Sequence, residues 1–352
     1  MHKGVATVAQ LDRFDEIIDA RTPAEYAEDH IPGALNLPVL DNAQRVIVGT
    51  LYKQHSPFEA RRVGAAMVAD NLARHLEGPL RDKPKNWRPL IYCWRGGLRS
   101  GSMVQWLRLV GWDACQLVGG YKQFRHGVIA TIAERAAGLR LRVLCGATGS
   151  GKTRILEALG RLGAQVLDLE DLAAHKGSVL GALPDRAQPT QKGFETLLAQ
   201  RLQQLDPAHT VFVEAESRKI GRIHLPEALI TAMRAAPCVG IEIGRDARLE
   251  FLVRDYAYLG DDLDHLHAAI DRLRELQSRE TLARWHELAA ARALPQLFGE
   301  FIDLHYDPLY RRSQNGNYAG FADAPQIHGD DLSPAGIEAL ARRILDAAAS
   351  PR

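Results

Sequence analysis

Two glycine-punctuated loops hold the residues best placed to do chemistry. The first is Cys93-Trp94-Arg95-Gly96-Gly97-Leu98-Arg99-Ser100, directly after the apolar run Pro89–Tyr92. A cysteine at a strand end, followed by glycines and a helix start, lies inside a ring of backbone N–H groups. Such a ring, with the helix N-terminus behind it, holds an anion and favours a nucleophilic thiolate. Arg95 and Arg99 add positive charge and can grip an oxyanion in bidentate fashion. Cys115, Cys145 and Cys238 lack that setting and read as buried structural cysteines. The four cysteines match no zinc spacing.

The second loop, Gly146-Ala147-Thr148-Gly149-Ser150-Gly151-Lys152-Thr153, fits the G-x-x-x-x-G-K-[ST] pattern without a gap. Gly146, Thr148, Gly149, Ser150 and Gly151 supply a backbone that can wrap phosphate oxygens. Lys152 is the point charge, and Thr153 can bind Mg²⁺. Downstream, the apolar run Thr210–Val213 ends in Glu214-Ala215-Glu216. Glu214 or Glu216 can hold a Mg²⁺ ion through water or position a nucleophile, or else pair with Arg218 or Lys219. Asp168 is a third acid suited to positioning a metal or a phosphate. The sequence commits to no metal site beyond these candidates.

Both loops need the same frame, a strand before and a helix after. Ile17–Arg21, Pro89–Cys93 and Ala114–Val118 read as short strands, with helices over 58–76, 100–109 and 124–138 between and after them. Leu139–Cys145 is a strand and Thr153–Leu162 a helix. From Asp246 to Leu297 the pattern is mostly helical, and a last helix runs from Ser333 to Ala349, with Ser333 as N-cap before Pro334. Alternating strands and helices predict parallel sheets whose working loops lie at the strands' C-terminal ends. The expected fold is α/β throughout. A parallel-sheet domain, residues 1–138, precedes a P-loop NTPase-like α/β domain, residues 139–352, with a helical C-terminal part.

A chain of 352 residues suits two cores. Its 46% hydrophobic and 25% charged residues are ordinary for a globular protein. Lys plus Arg number 44 and Asp plus Glu 43, so net charge identifies no partner. Residues 1–138 carry 18 basic and 14 acidic side chains, which makes the first domain mildly positive. No apolar segment reads as a signal peptide or membrane span, so no membrane partner is expected. A reducing cytoplasm is the expected compartment.

The first domain resembles the rhodanese family over roughly residues 5–130. Asp19-Ala20-Arg21, Glu25-Tyr26 and His30-Ile31-Pro32-Gly33-Ala34 look like its N-terminal signature, and Val118-Gly119-Gly120-Tyr121-Lys122 like the strand and turn after its active loop. The resemblance implies a loop cysteine, Cys93, that carries sulfur or selenium; Asp19 and His30 read as framework. One departure stands out. Five residues separate Cys93 from Arg99, where common sulfurtransferase loops have four. Cys-x5-Arg-Ser is also the spacing of rhodanese-fold cysteine phosphatases.

The order of the two domains narrows the resemblance to the tRNA 2-selenouridine synthase family. Strings in both domains support it, among them Val48–Lys53, Tyr92–Ser100, Asp168–Asp171, His175–Ser178, Glu216–Gly221 and Tyr306–Tyr310. That resemblance implies a bacterial enzyme acting on tRNA bearing 2-thiouridine at the wobble position, 34. Sulfur is exchanged for selenium from selenophosphate, through an S-geranyl intermediate made from geranyl diphosphate. On that reading His175, Lys176, Arg218, Lys219, Arg222, Arg311 and Arg312 are nominated as tRNA contacts, and His175–Ser178 as a lid. A P-loop kinase governed by a rhodanese sensor, a rhodanese-fold phosphatase and a non-catalytic docking protein remain as rivals. Oligomeric state is not legible from the sequence.

Overall fold

The computed structural model describes residues 4–310 and 318–349. The chain forms two compact units, Met1–Ala130 and Thr131–Arg352. The division falls within a helix, Gly120–Gly138.

In the first unit five parallel strands line up in the order β1 (Val5–Ala6), β5 (Cys115–Leu117), β4 (Pro89–Tyr92), β2 (Glu16–Asp19), β3 (Leu35–Asn36). All the strand pairs are parallel. Strand β4 is buried along its whole length, as a central parallel strand must be when both sheet faces are covered. Successive side chains serve opposite faces. Ile91 joins Ile18, Leu72, Met103 and Leu107 on one side, and Leu90 and Tyr92 join Ile31, Leu117 and Tyr121 on the other. Each such residue contributes roughly 1.5–3 kcal/mol by leaving water.

The connecting helices are α1 (Pro23–Glu28), α2 (Asn42–Gln54), α3 (Pro57–Glu77), α4 (Leu98–Val110) and α5 (Gly120–Gly138). Local chemistry explains their starts. Thr22 caps α1 in a capping box with Glu25, Asp41 does the same for α2 with Gln44, and Ser56 caps α3 ahead of Pro57. Because the strands are parallel, the loops after β2, β3 and β4 share one edge of the sheet.

The second unit repeats the principle on a new sheet. β6 (Arg140–Gly146) is central, flanked by β8 (Thr210–Glu214) and β7 (Gln165–Leu167) on one side. On the other lie β11 (Cys238–Ile243) and β12 (Gln326–Gly329). Every pairing in this sheet is parallel. A two-stranded antiparallel hairpin, β9 (Lys219–Ile220) with β10 (Ile223–His224), stands apart. Helix α6 (Lys152–Arg161) buries Ile155, Leu156 and Leu159 against the sheet, beside the C-terminal helix Pro334–Ala349.

Helices α7 (Leu169–Leu172), α8 (Gln191–Gln204) and α9 (Glu227–Ala235) come next in the chain, and the helical stretch expected after residue 246 consists of α10 (Arg245–Asp255), α11 (Leu263–Asp271), α12 (Arg279–Ala290) and α13 (Leu294–Glu300). They close around fully buried Trp285, whose Nε1–H donates to Glu300 Oε2 at 3.0 Å. Helix α13 continues as a π-helical turn, Phe301–Tyr306. Such turns displace side chains from the regular spacing and recur near functional sites.

Candidate functional site

Cys93 leaves the end of β4 with 3% of its surface exposed. Its Sγ accepts the N–H of Gly97 at 3.3 Å and the hydroxyl of Ser100 at 3.1 Å. Gly97 is the N-cap of α4, so the sulfur sits against the positive end of that helix. Gln116 Nε2 donates to Ser100 Oγ at 2.8 Å and to the Gly97 carbonyl at 3.0 Å, fixing the hydroxyl that faces the thiol. Ser100 and Gln116 are contributors that the sequence left without a role.

Of the two loop arginines, Arg95 is exposed. Arg99 is bound by Glu25, with N···O distances of 2.6 and 3.2 Å. Burial pushes the Glu25 carboxyl up, but the Arg99 guanidinium outweighs it and holds the carboxyl below its ordinary range. Arg99 therefore ties the loop to α1.

The signature residues build the loop's support. Asp19 and Arg21, at 0% and 1% exposure, form a buried ion pair at 2.6 Å. The Arg21 guanidinium lies 3.9 Å from the Tyr121 ring centroid, and Tyr121 O–H donates to Asp29 Oδ2 at 2.6 Å. Tyr121 N–H then donates to the Cys93 carbonyl at 2.8 Å, and Lys122 N–H to that of Trp94 at 2.9 Å. Gly120 is required between them. Its φ is +58°, and a Cβ there would lie 2.3 Å from the Cys93 carbonyl oxygen. His30 stacks on Tyr26 at 3.8 Å and hydrogen-bonds its carbonyl.

The second loop follows β6 and lines a cavity of about 480 Å³. Lys152 Nζ donates to the Gly146 carbonyl at 2.8 Å. Thr153 Oγ1 lies 2.9 Å from Glu170 Oε2 and 3.2 Å from Glu214 Oε2. Glu216 completes a triad with Glu170 and Glu214, one oxygen from each lying within 4.8 Å of the others. Both expected acids are present, and Glu170 joins them from α7 (Leu169–Leu172). Asp168 also lines the cavity, but its carboxylate caps α7 by accepting the Asp171 N–H at 2.8 Å.

Buried Glu214 Oε1 has no hydrogen-bond partner. An orphaned buried carboxylate oxygen, two neighbouring carboxylates and a threonine hydroxyl make a hard oxygen set that suits Mg²⁺. Burial, then the charge of Glu216, raises Glu170 to about 8; burial raises Glu216 to about 7, and Glu214 well above its ordinary range.

These groups hold their protons more tightly when folded. Their contribution to stability is present below about pH 4.5 and lost as pH rises through 7 to 8. The metal-free protein should therefore be less stable, with a lower melting temperature, at pH 8.5 than at pH 6. Millimolar Mg²⁺ should restore the loss at pH 8.5 in the native chain and not in Glu214→Gln. Thermal melts across that pH range check it, and a pH- and Mg²⁺-independent melting temperature would contradict it.

The rest of the cavity is apolar or clamped. Phe251, Leu252, Tyr256, Tyr306 and Leu309 are the apolar and aromatic side chains that line it. The segment His175–Ala182 folds across the carboxylates as a closed turn, with a bridge between its ends and Lys176 N–H donating to the Gly181 carbonyl. Gly177 packs so closely that a Cβ there would lie 2.3 Å from Glu170 Oε1. The turn is tied to the helical layer. Lys176 Nζ lies 2.6 Å from Asp255 Oδ2 and 4.4 Å from the Tyr256 ring centroid, and Ser178 Oγ lies 3.2 Å from Tyr256 Oη. The P-loop is tied there too, through Arg248, which donates to the Thr148 carbonyl and pairs with Asp307 at 2.6 Å.

The residues nominated for tRNA contact fall in different settings. His175 is buried, and that burial lowers it to about 4. Lys176 is held by Asp255. Arg218 pairs with Glu227 at the surface, Lys219 is exposed, and Arg222 donates to the Gln188 carbonyl. Arg311 and Arg312 lie outside the described residues. Among those residues no helix is long and apolar enough to cross a membrane.

Each of the two units matches a known family. Residues 6–126 match the rhodanese-like domain family, and residues 139–275 match the tRNA 2-selenouridine synthase AAA domain. The chain is 36% identical to the tRNA 2-selenouridine synthase of Nitrosomonas europaea, over 68% of this chain and 63% of that one. The match thus spans a little under two thirds of that relative's length. It is 33% identical to the enzyme of the same name from Alcanivorax borkumensis, over 84% of this chain and 88% of that one. With the relative from Cronobacter sakazakii the identity is 34%, over 86% and 88%. The chain belongs to the tRNA 2-selenouridine synthase family.

Proposed function

We propose that this protein converts wobble 2-thiouridine in tRNA to 2-selenouridine in two steps, S-geranylation followed by selenium exchange. The observation that carries the reading is the composition of the P-loop cavity. A phosphate cradle with Lys152, a carboxylate triad and the apolar or aromatic side chains of Phe251, Leu252, Tyr256, Tyr306 and Leu309 line the same cavity. One ligand that satisfies both kinds of lining carries a diphosphate at one end and an apolar chain at the other, as geranyl diphosphate does.

In the first step the thiouridine sulfur attacks C1 of the geranyl group, the C–O bond breaks and diphosphate leaves. Lys152 and the backbone of residues 146–153 neutralise the departing charge. Mg²⁺, where bound, would be held by Thr153, Glu170, Glu214 and Glu216 and would add positive charge beside the leaving group. In the second step selenium of selenophosphate attacks C2 of the base, geranyl thiol departs, and hydrolysis of the Se–P bond leaves phosphate. Alkylation matters because a thiol leaves more readily than a thione sulfur. The Cys93 loop, with the N–H of Gly97, the α4 N-terminus and Arg95, is the anion site suited to selenophosphate.

A ligand competition tests the P-loop assignment. Geranyl diphosphate should protect the protein against thermal unfolding, and ATP at the same concentration should protect it at least tenfold less well. Brisk ATP hydrolysis by the tRNA-saturated protein would instead favour the kinase reading.

A further inference from the structure

Helix α2 has thirteen residues and none of them is buried. Val46 is 68% exposed and Tyr52 60%, and Phe58 at the start of α3 is 68% exposed. Large apolar side chains gathered on one surface mark an interaction site more often than chance does. Helical spacing sets Arg45, Val46, Gly49, Tyr52 and Lys53 on one side of α2. A Cβ at Gly49 would meet only the Arg45 guanidinium, at 3.2 Å, so the helix is flat there. Phe58 opens α3 just after α2, and helical spacing sets Arg61 and Arg62 on the same side of α3 as Phe58. From Asn42 to Arg62 four basic residues face a single acid, Glu59. Glu59 is engaged by Arg62 in an exposed ion pair at 2.9 Å, which a phosphate can displace.

This surface rises from the same edge of the sheet as the Cys93 loop. The strands β2, β3 and β4 are parallel, and α2 follows the C-terminal end of β3. Asn42 Oδ1 accepts the Ala24 N–H of α1 at 3.1 Å, and α1 carries the Glu25 that grips Arg99 in the Cys93 loop. We propose that the outer face of the α2–α3 hairpin is an RNA-docking surface. It takes unstacked anticodon-loop bases on Tyr52 and Phe58, and their phosphates on Arg45, Lys53, Arg61 and Arg62. Aromatic rings interleaved with basic side chains are the recognition chemistry of single-stranded RNA. A second copy of the chain fits less well, because it would set two like-charged faces together. The inference rests on the tRNA reading above, and it uses none of the basic residues nominated from the sequence.

The test uses the full chain and a fluorescein-labelled anticodon stem-loop RNA carrying wobble 2-thiouridine. Its affinity is measured by anisotropy at several KCl concentrations. The Tyr52→Ala/Phe58→Ala variant should bind about tenfold more weakly or worse, with an unchanged salt slope, since each stacked base is worth that order of affinity. Lys53→Glu/Arg61→Glu should weaken binding comparably and flatten the salt slope by about one to two units. Tyr52→Phe should bind like the native chain. At saturating RNA the turnover of all variants should match native, with the loss confined to KM. Circular dichroism confirms that each is folded.

Unchanged affinity in both folded double variants, for an RNA that the native chain binds and modifies, would overturn the surface and leave the functional reading standing. A native chain that neither binds nor modifies the RNA would overturn both. Light scattering that shows a dimer split by Tyr52→Ala would assign the face to self-association instead.

Discussion

Cys93→Ala should lower selenium incorporation by about 10²-fold, the scale of misplacing a bound reactant, because it removes the side chain at the centre of the selenophosphate site. S-geranylation of the same tRNA should continue at close to the native rate. The asymmetry follows from where the sulfur sits. Its two hydrogen-bond donors, the Gly97 N–H and the Ser100 hydroxyl, belong to the first unit's loop, whereas the P-loop cavity is lined entirely by residues of the second unit. Alanine leaves the Arg21–Tyr121 support and the Glu25–Arg99 pair in place, so the loop should keep its shape. The check is the ratio of S-geranyl to seleno nucleoside in digested tRNA. Accumulation of the S-geranyl species is the expected result, and equal loss of both products would mean that Cys93 serves the whole protein.

Lys152→Ala should fail in the opposite way. Removing the cation that meets the departing diphosphate should slow geranyl transfer by about 10²–10³-fold, the usual cost of deleting one charge-stabilising donor. Selenium exchange should then fall as well on 2-thiouridine tRNA, for lack of the intermediate. On tRNA already geranylated it should proceed at close to the native rate. That rescue separates a broken first step from a misfolded protein. The substitution itself is mild for the fold, since Lys152 is only partly buried and its amine contacts the loop's own carbonyls. If Lys152→Ala selenates neither substrate, the P-loop does more than hold the geranyl donor.

Both loops were legible in the sequence because each is announced by local signals that tertiary context does not override. Pro89–Tyr92 and Arg140–Gly146 are short, largely buried strands, glycines lie at or just after their ends, and a helix starts within a few residues. What escaped depends on strand order. Glu170 meets Glu214 because β7 lies beside β8, and no spacing in the chain announces that neighbour. Glu25 meets Arg99 across seventy-four residues, which turns an expected anion ligand into a loop tether. Nor did a basic turn such as His175–Ser178 declare that Asp255 and Tyr256 would claim its lysine.

The helix α2 was missed for a different reason. Amphipathic periodicity is the main sign of a helix, and α2 has no fully buried residue to mark an apolar stripe. Its Val46 and Tyr52 stand on the solvent side with Arg45 and Lys53. A pattern that reads as irregular in the sequence is, in the fold, a surface with a mixed apolar and basic face.

A single chain that performs both steps should do so in one reaction series. Transfer RNA bearing wobble 2-thiouridine is incubated with the purified protein, geranyl diphosphate and selenophosphate, each omitted in turn, then digested to nucleosides and weighed. The S-geranyl mass is expected when selenophosphate is left out, and the selenium mass when both donors are present. Unchanged 2-thiouridine in every reaction would contradict it.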